Sequence, residues 1–256
     1  MAPRLAWLWH LALPAVLLLP AAGTAEPSPP GPCSSPRDGE DLAVSPVLLP
    51  PPAVPLSGSP SPSSSPSASP SPAPDYRHRL RTTPLGWPIQ AVWCVWVQPV
   101  EPGEASNPVA ARWREAVHSA LAEWRTLLPI AIAPSPERAQ VTIWRRRPPL
   151  GVDAAGRPRA SHGRAILSLR GARGTPASGV EPRVTVLISP DQRPQALQAT
   201  ALHELGHAFG LWGHSDQPAD AMAEAPGPQP VLRLSPRDRA TVRWLYSQPS
   251  PLRSDP

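Results

Sequence analysis

Residues 200–215 read TALHELGHAFGLWGHS. His203 and His207 stand four apart, so one turn of helix brings both imidazoles to the same face, where each can offer a ring nitrogen to one metal ion. Glu204 follows the first of them directly. A carboxylate there lies near the metal without needing to bind it, which suits a general base for a water activated by that metal. The helix is expected to begin between Asp191 and Pro194. Gly206 is small enough to let a strand pack close, and Gly210 is placed to end the helix in a left-handed conformation that reverses the chain. The reversal lets His214 return to the same ion as a third ligand. Asp216 is the alternative, because a carboxylate also completes such sites.

Working outward, Trp87–Val97 (WPIQAVWCVWV) alternates and is rich in Val, Ile and Trp, which reads as a first strand. Asn107 is an N-cap with Pro108 at the first helical position. Val109, Trp113, Val117, Ala120, Leu121, Trp124 and Leu128 then recur at helical spacing. Gln140–Trp144, Arg164–Leu169 and Arg183–Ser189 follow as three strands between Gly and Pro punctuation. Downstream of the histidines, Ser235, Pro236 and Asp238 form a helix start leading into Arg237–Tyr246.

The chain has 42 prolines and 16 glycines among 256 residues, too many for all of it to pack. Sixteen of those prolines fall between Pro27 and Pro74, where Ser fills much of the remainder. Such a stretch lacks the apolar surface to offset its ordering entropy, so 26–74 reads as a Pro/Ser-rich disordered linker. Residues 1–25 carry Arg4, an apolar run from Leu5 to Leu19 and small residues up to Ala25. At 1.5 Å per residue that run spans about 22 Å, short of the roughly 30 Å membrane core, and the layout is that of a cleaved secretory signal. Any membrane contact would come through that segment before cleavage. Export brings Cys33 and Cys94 into an oxidising compartment, where they either pair or remain unpaired or intermolecular thiols. All 24 basic residues are Arg, interspersed with acids apart from Arg145–Arg147. That pattern counts against nucleic-acid binding, and YRHRLR (76–81) and the Arg triplet read as solvated faces.

On His203, Glu204, His207, Gly210, His214 and Ser215 the stretch resembles the metzincin zinc-binding consensus, H-E-x-x-H-x-x-G-x-x-H. Within it the matrixin branch is closest in pattern, since Ser often follows the last His there. One more residue stands before His214 than the consensus has; Gly213 can absorb it, and GLWGHS resembles bacterial matrixin-like sequences. The resemblance implies that Met222, the only Met besides the initiator, forms an apolar floor under the imidazoles without binding the metal. No Tyr follows Met222 closely, so the Tyr ligand of astacin-like and serralysin-like relatives has no counterpart. The family's second, structural zinc would find only His162 and Asp153 here, so no such site is expected. Its inhibitory PRCGxPD motif is absent too, although Cys33 is a thiol that could cap the zinc unless Cys94 takes it.

The resulting expectation is an α+β, metzincin-like catalytic domain over 75–250, with a tail at 251–256. Its sheet would be twisted and mixed, of about four to five strands, with a long helix, an active-site helix and a C-terminal helix. In function it would be a secreted zinc metalloendopeptidase, extracellular or periplasmic, acting on protein or peptide substrates as a monomer. His203, His207 and His214 would hold Zn²⁺ and Glu204 would serve as general base. Substrate would lie extended along Arg164–Leu169 as an edge strand, with Ala223–Val231 walling the pocket for the side chain after the cut. The alternative is a catalytically silent zinc-containing module that binds a cell surface or wall.

Overall fold

The computed structural model describes residues 33, 40–43, 46–50, 74–152, 156–171 and 179–253. Residues 1–25, most of the 26–74 segment and Asp153 lie outside the described residues. Eight strands are present among them: β1 (Glu40–Ala43), β2 (Trp93–Val97), β3 (Ile130–Ile132), β4 (Val141–Arg145), β5 (Gly151–Val152), β6 (Pro158–Arg159), β7 (Gly163–Gly171) and β8 (Glu181–Ile188). Three α-helices accompany them, α1 (Pro108–Trp124), α2 (Pro194–Ala208) and α3 (Pro236–Tyr246). Six strands form one mixed sheet in the order β1-β7-β8-β4-β2-β3, and β5 and β6 form a separate ribbon. Strands β3, β2, β4 and β8 are parallel, while β7 runs antiparallel to β8. The class is α+β.

Alternation along β2 separates two clusters, as a strand's period of two requires. Trp93 and Val95 enter the main core beneath the helices, whereas Cys94 joins Cys33, Ala133 and Ala139 in a smaller cluster. Helix α1 starts where Asn107 Oδ1 accepts the Val109 and Ala110 N–H groups at 2.9 and 3.4 Å. Its buried stripe includes Trp113, Val117, Ala120, Leu121 and Trp124. Burying an indole is favourable only if its N–H finds an acceptor. Trp113 Nε1 donates to the Ile188 carbonyl (3.1 Å) and Trp124 Nε1 to the Leu202 carbonyl (3.0 Å), so α1 is bonded to both β8 and α2. Trp93 Nε1 donates to Tyr246 Oη (2.7 Å), which donates to the Phe209 carbonyl (2.9 Å). Through that relay β2 and α3 both hold the C-terminal end of α2.

Several expectations are corrected. The first strand covers only Trp93–Val97; Trp87 packs edge-on against Trp244 at 5.5 Å instead. Three pieces of the Pro-rich segment are built into the fold: Cys33 is disulfide-bonded to Cys94, β1 pairs with the far end of β7, and Leu49 bridges to Thr82. The disulfide removes Cys33 as a cap for a metal. Leu252, assigned to the tail, is buried, and its carbonyl accepts from Gln90 Nε2 at 2.6 Å. Among the described residues no helix is long and apolar enough to cross a membrane.

Candidate metal centre and active site

Helix α2 begins at Pro194 and presents His203 and His207 one turn apart, their ring centroids 4.9 Å from each other. The helix ends where sequence placed the stop. Gly210 has φ +102°, with its N–H bonded to the His207 carbonyl and the Leu211 N–H bonded to the Gly206 carbonyl, both at 3.0 Å. This pair of bonds closes a helix through a left-handed residue, and only glycine takes that φ without strain. A Cβ at position 210 would also meet Ile89 Cγ2 at 2.8 Å. The reversed chain then brings His214 back, its ring 5.2 Å from that of His203 and 4.9 Å from that of His207.

One nitrogen from each of the three imidazoles lies within 4.8 Å of the others. His203 Nδ1 is 2.9 Å from the Ala221 carbonyl, and His207 Nδ1 is 2.7 Å from the Leu211 carbonyl. A carbonyl only accepts, so both rings carry their proton on Nδ1 and leave the Nε2 lone pair free. His207 Nε2 and His214 Nε2 stand 3.2 Å apart. Two ligands about 2.0–2.1 Å from one tetrahedral ion stand about 3.3–3.4 Å apart, so this spacing fits a shared ion. Burial holds all three imidazoles below their ordinary pKa, that of His203 at about 4, which keeps the ligands neutral. The group could bind a metal ion.

Glu204 is buried and is not one of the group that could hold a metal ion. Burial pushes its carboxyl up to about 7, against the opposing effects of the Ala165 backbone N–H bonded to it and of nearby Arg164. The carboxylate lies directly against β7. A Cβ on Gly163 would sit 2.5 Å from Glu204 Cγ and 2.6 Å from Oε1, so glycine is required there for the carboxylate to reach the strand. Ser189 N–H donates to the His162 carbonyl at 2.8 Å. That bond sets the phase of the β7–β8 ladder: alternate residues bond inward, and the backbone groups of Gly163, Ala165 and Leu167 face the outer edge. The strand read as Arg164–Leu169 is therefore at the sheet edge over 163–168, with its far end covered by β1.

Met222 is fully buried. A Cβ on Gly206 would lie 2.1 Å from Met222 Sδ and 3.1 Å from Trp124 Cζ2, so this glycine admits a methionine and a tryptophan, not a strand. The loop bearing His214 is stitched to the Met222 segment by Ser215 N–H to the Met222 carbonyl (2.7 Å) and Glu224 N–H to the Ser215 carbonyl (3.0 Å). Asp216 lies outside the group that could hold a metal ion. Its carboxylate accepts from Arg237 at 2.9 Å and faces Arg79 at 3.8 Å, which hold it below the usual carboxylate range.

Four supporting groups had no signal in the motif. Buried Asp238 accepts the Ala221 N–H (2.8 Å), the Ser235 N–H (2.9 Å) and Tyr76 Oη–H (2.7 Å), so the carbonyl that orients His203 is itself held from α3. Asp220 accepts from Ser215 Oγ (2.5 Å), Ser235 Oγ (2.6 Å) and Arg237 (2.6 Å). Arg81 N–H donates to the Trp212 carbonyl at 2.7 Å, and Trp212 stacks on His207 with centroids 5.5 Å apart. The 76–81 patch is thus a clamp on the metal loop as well as a basic surface. Arg145 and Arg147 are likewise paired, with Glu104 at 2.5 Å and Asp191 at 2.8 Å.

No protein-family model matches the chain, and no curated protein matches it. The site's chemistry rests on its own geometry.

Proposed function

We propose that this chain is a secreted zinc-dependent metalloendopeptidase of the metzincin type, matrixin-like. The observation that carries the reading is the convergence of three neutral imidazoles beside a buried carboxyl that is not a ligand, beneath an open strand edge. A site that only held a structural ion would have no use for Glu204 in that place. Three imidazole donors suit zinc, although copper, iron and nickel also accept them, and three ligands leave a fourth position for chemistry. When bound there, zinc supplies Lewis acidity toward a carbonyl oxygen and lowers the pKa of water.

The chain's own residues do the rest. His203, His207 and His214 hold the ion through nitrogens kept deprotonated by burial, and the Ala221 and Leu211 carbonyls orient the rings of His203 and His207. Glu204, with its carboxyl near 7, takes the proton of the attacking water on a carboxylate oxygen and returns it to the leaving amine nitrogen. An extended peptide pairs with the outward backbone groups of β7 that Glu204 does not hold, which sets its carbonyl beside Glu204. Secretion is supported by the leader pattern and by the Cys33–Cys94 disulfide. The test is zinc content together with cleavage of casein and quenched peptides by the mature chain and by Glu204→Gln. Zinc in both with turnover lost in the variant sustains the proposal. Zinc without turnover in either supports the silent module, and absence of zinc ends both readings.

A further inference from the structure

The edge of β7 is already used by this chain. Glu40 pairs with Gly171, Asp41 with Arg170 and Ala43 with Leu169, antiparallel, with an irregularity between Asp41 and Ala43. A peptide laid on the same edge antiparallel to β7 would run in the direction of β1. It would have its carboxyl-terminal side near Gly163 and its amino-terminal side toward Leu169. The same stretch of chain is fastened on the other side too. Leu49 exchanges backbone hydrogen bonds with Thr82 at 2.7 and 2.9 Å, and the neighbouring Arg81 holds Trp212 of the metal loop. Cys33, seven residues before Glu40, is locked to β2 by the disulfide. This occupant is therefore tied down before and after β1, and cutting the chain between residues 51 and 73 would leave it attached through the disulfide.

The chemistry of the site lies at one end of this edge and β1 at the other. Glu204 touches Gly163 and Ala165, whereas Ala43 sits opposite Leu169. Among the described residues no strand pairs with the outer edge of 163–167, about 16 Å at 3.3 Å per residue, where the Ala165 N–H is held by Glu204. A peptide with its reacting carbonyl beside Glu204 has about three residues' length of edge on its amino side before it meets Ala43.

We infer that β1 is a built-in end stop: it occupies the edge that further amino-side residues of a substrate would use, and so limits strand pairing to the residues nearest the cut. The inference rests on the peptidase reading only for which ligand lies on the edge. Beyond the stop, extra residues of substrate find the backbone groups of Leu169 and Gly171 already paired and gain nothing from them.

The test uses binding, so it does not depend on turnover. Acetyl-(Ala)n-hydroxamates with n from 1 to 7 anchor their hydroxamate on the metal and count amino-side residues from that fixed point. Their Kd values are measured by calorimetry on the zinc-loaded full chain. Affinity should rise up to n of about 3 or 4 and then stay level; a pair of backbone hydrogen bonds is worth about two- to tenfold. In a Glu40→Pro/Ala43→Pro variant, which removes N–H groups from β1, affinity should go on rising by a similar factor at n of 5 and 6. Wild-type affinity that keeps climbing past n of 4 overturns the inference, and so does length-independent binding. If the double variant does not fold, the wild-type series alone decides. If the plateau holds but casein is not cut, the end stop stands and the peptidase reading falls. A double variant that gains affinity equally at every length shows general inhibition by the segment and sinks the end-stop account.

Discussion

The ligands on α2 and the ligand on the loop after it are held by different means. His203 and His207 share one helix turn, and the hydrogen bonds of the helix fix their spacing. His214 has no such frame. Its loop is pinned by Ser215 to the Met222 segment, by Trp212 to Arg81, and by Asp220 and Asp216 to Arg237 on α3. Rigidity in the helix is local, while in the loop it is borrowed from segments more than a hundred residues upstream and about twenty downstream. Disturbing the distant segments should therefore loosen the third ligand and leave the first two in place.

The largest loss of stability should come from Arg237→Met. Asp220 and Arg237 are both mostly buried, with side-chain exposures of 4% and 13%. Removing the guanidinium leaves a buried carboxylate with two hydroxyl donors, and breaking such a pair costs about 3–5 kcal/mol. Urea unfolding measures that loss, and zinc competition should show affinity weakened at least about tenfold, within the range for a lost ligand-orienting partner. Unchanged zinc affinity in a folded Arg237→Met protein would mean that the loop holds His214 without α3.

Two glycine substitutions sharpen the contrast. At Gly213 a Cβ would lie 2.2 Å from the Arg79 carbonyl oxygen and 3.1 Å from Leu80 Cα, all backbone that cannot swing aside. At Gly206 the obstacle is the end of Met222, a flexible side chain, with Trp124 farther off. Gly213→Ala should cost about 2–3 kcal/mol and displace His214. Gly206→Ala should cost about 1 kcal/mol, since clash is partly offset by better helix propensity. The thermal melts and zinc affinities of the two variants, compared side by side, test this ranking, and the reverse order would contradict it.

These contacts explain what was legible in advance. The i, i+4 histidines, the Gly210 stop, the Asn107 cap and the Ser235–Asp238 capping box are local, so a few adjacent residues specify them. Strand β3 is only three residues long, too short for a period to show, and β1 comes from a Pro-rich stretch whose composition argues against strand. The disulfide partner and the role of Arg79–Arg81 depend on tertiary closure, which no spacing encodes. Gly163 is a case between these. Its position at the start of a strand is visible, but its purpose, making room for Glu204 some forty residues later, is not.

The metal-free protein provides a pH test that treats the histidines and Glu204 as opposed groups. His203 titrates near 4 in the fold and has an ordinary value of 6.5, so the unfolded chain takes up that proton first as pH falls. The stability it supports is whole above 6.5 and is lost down to about 4. His207 and His214 shift in the same direction. Glu204 acts in the opposite sense: its folded value of about 7 lies above 4.5, so its contribution is present below 4.5 and lost as pH rises through 7. Glu204→Gln should therefore stabilise the metal-free chain at pH 8, by on the order of 2 kcal/mol, and steepen the loss of stability between 6.5 and 4.5. Denaturant titrations across that range would refute the account if the variant and the wild type ran parallel.

The smallest effect belongs to Asp216, and its smallness is informative. Asp216 is exposed and pairs with Arg237 and Arg79, so it lies next to the third ligand in sequence yet outside the group that could hold the ion. Exposed ion pairs contribute little because solvent and salt screen them. Asp216→Asn should leave zinc stoichiometry and affinity unchanged, and His214→Ala should weaken binding by orders of magnitude. Both chains can be read in one zinc competition experiment. A loss in Asp216→Asn as large as that in His214→Ala would reassign the third ligand to the carboxylate. The loop, and not only its histidine, would then have to turn over to reach the ion, and the contacts from Arg79 and Arg237 would have to break for the site to form.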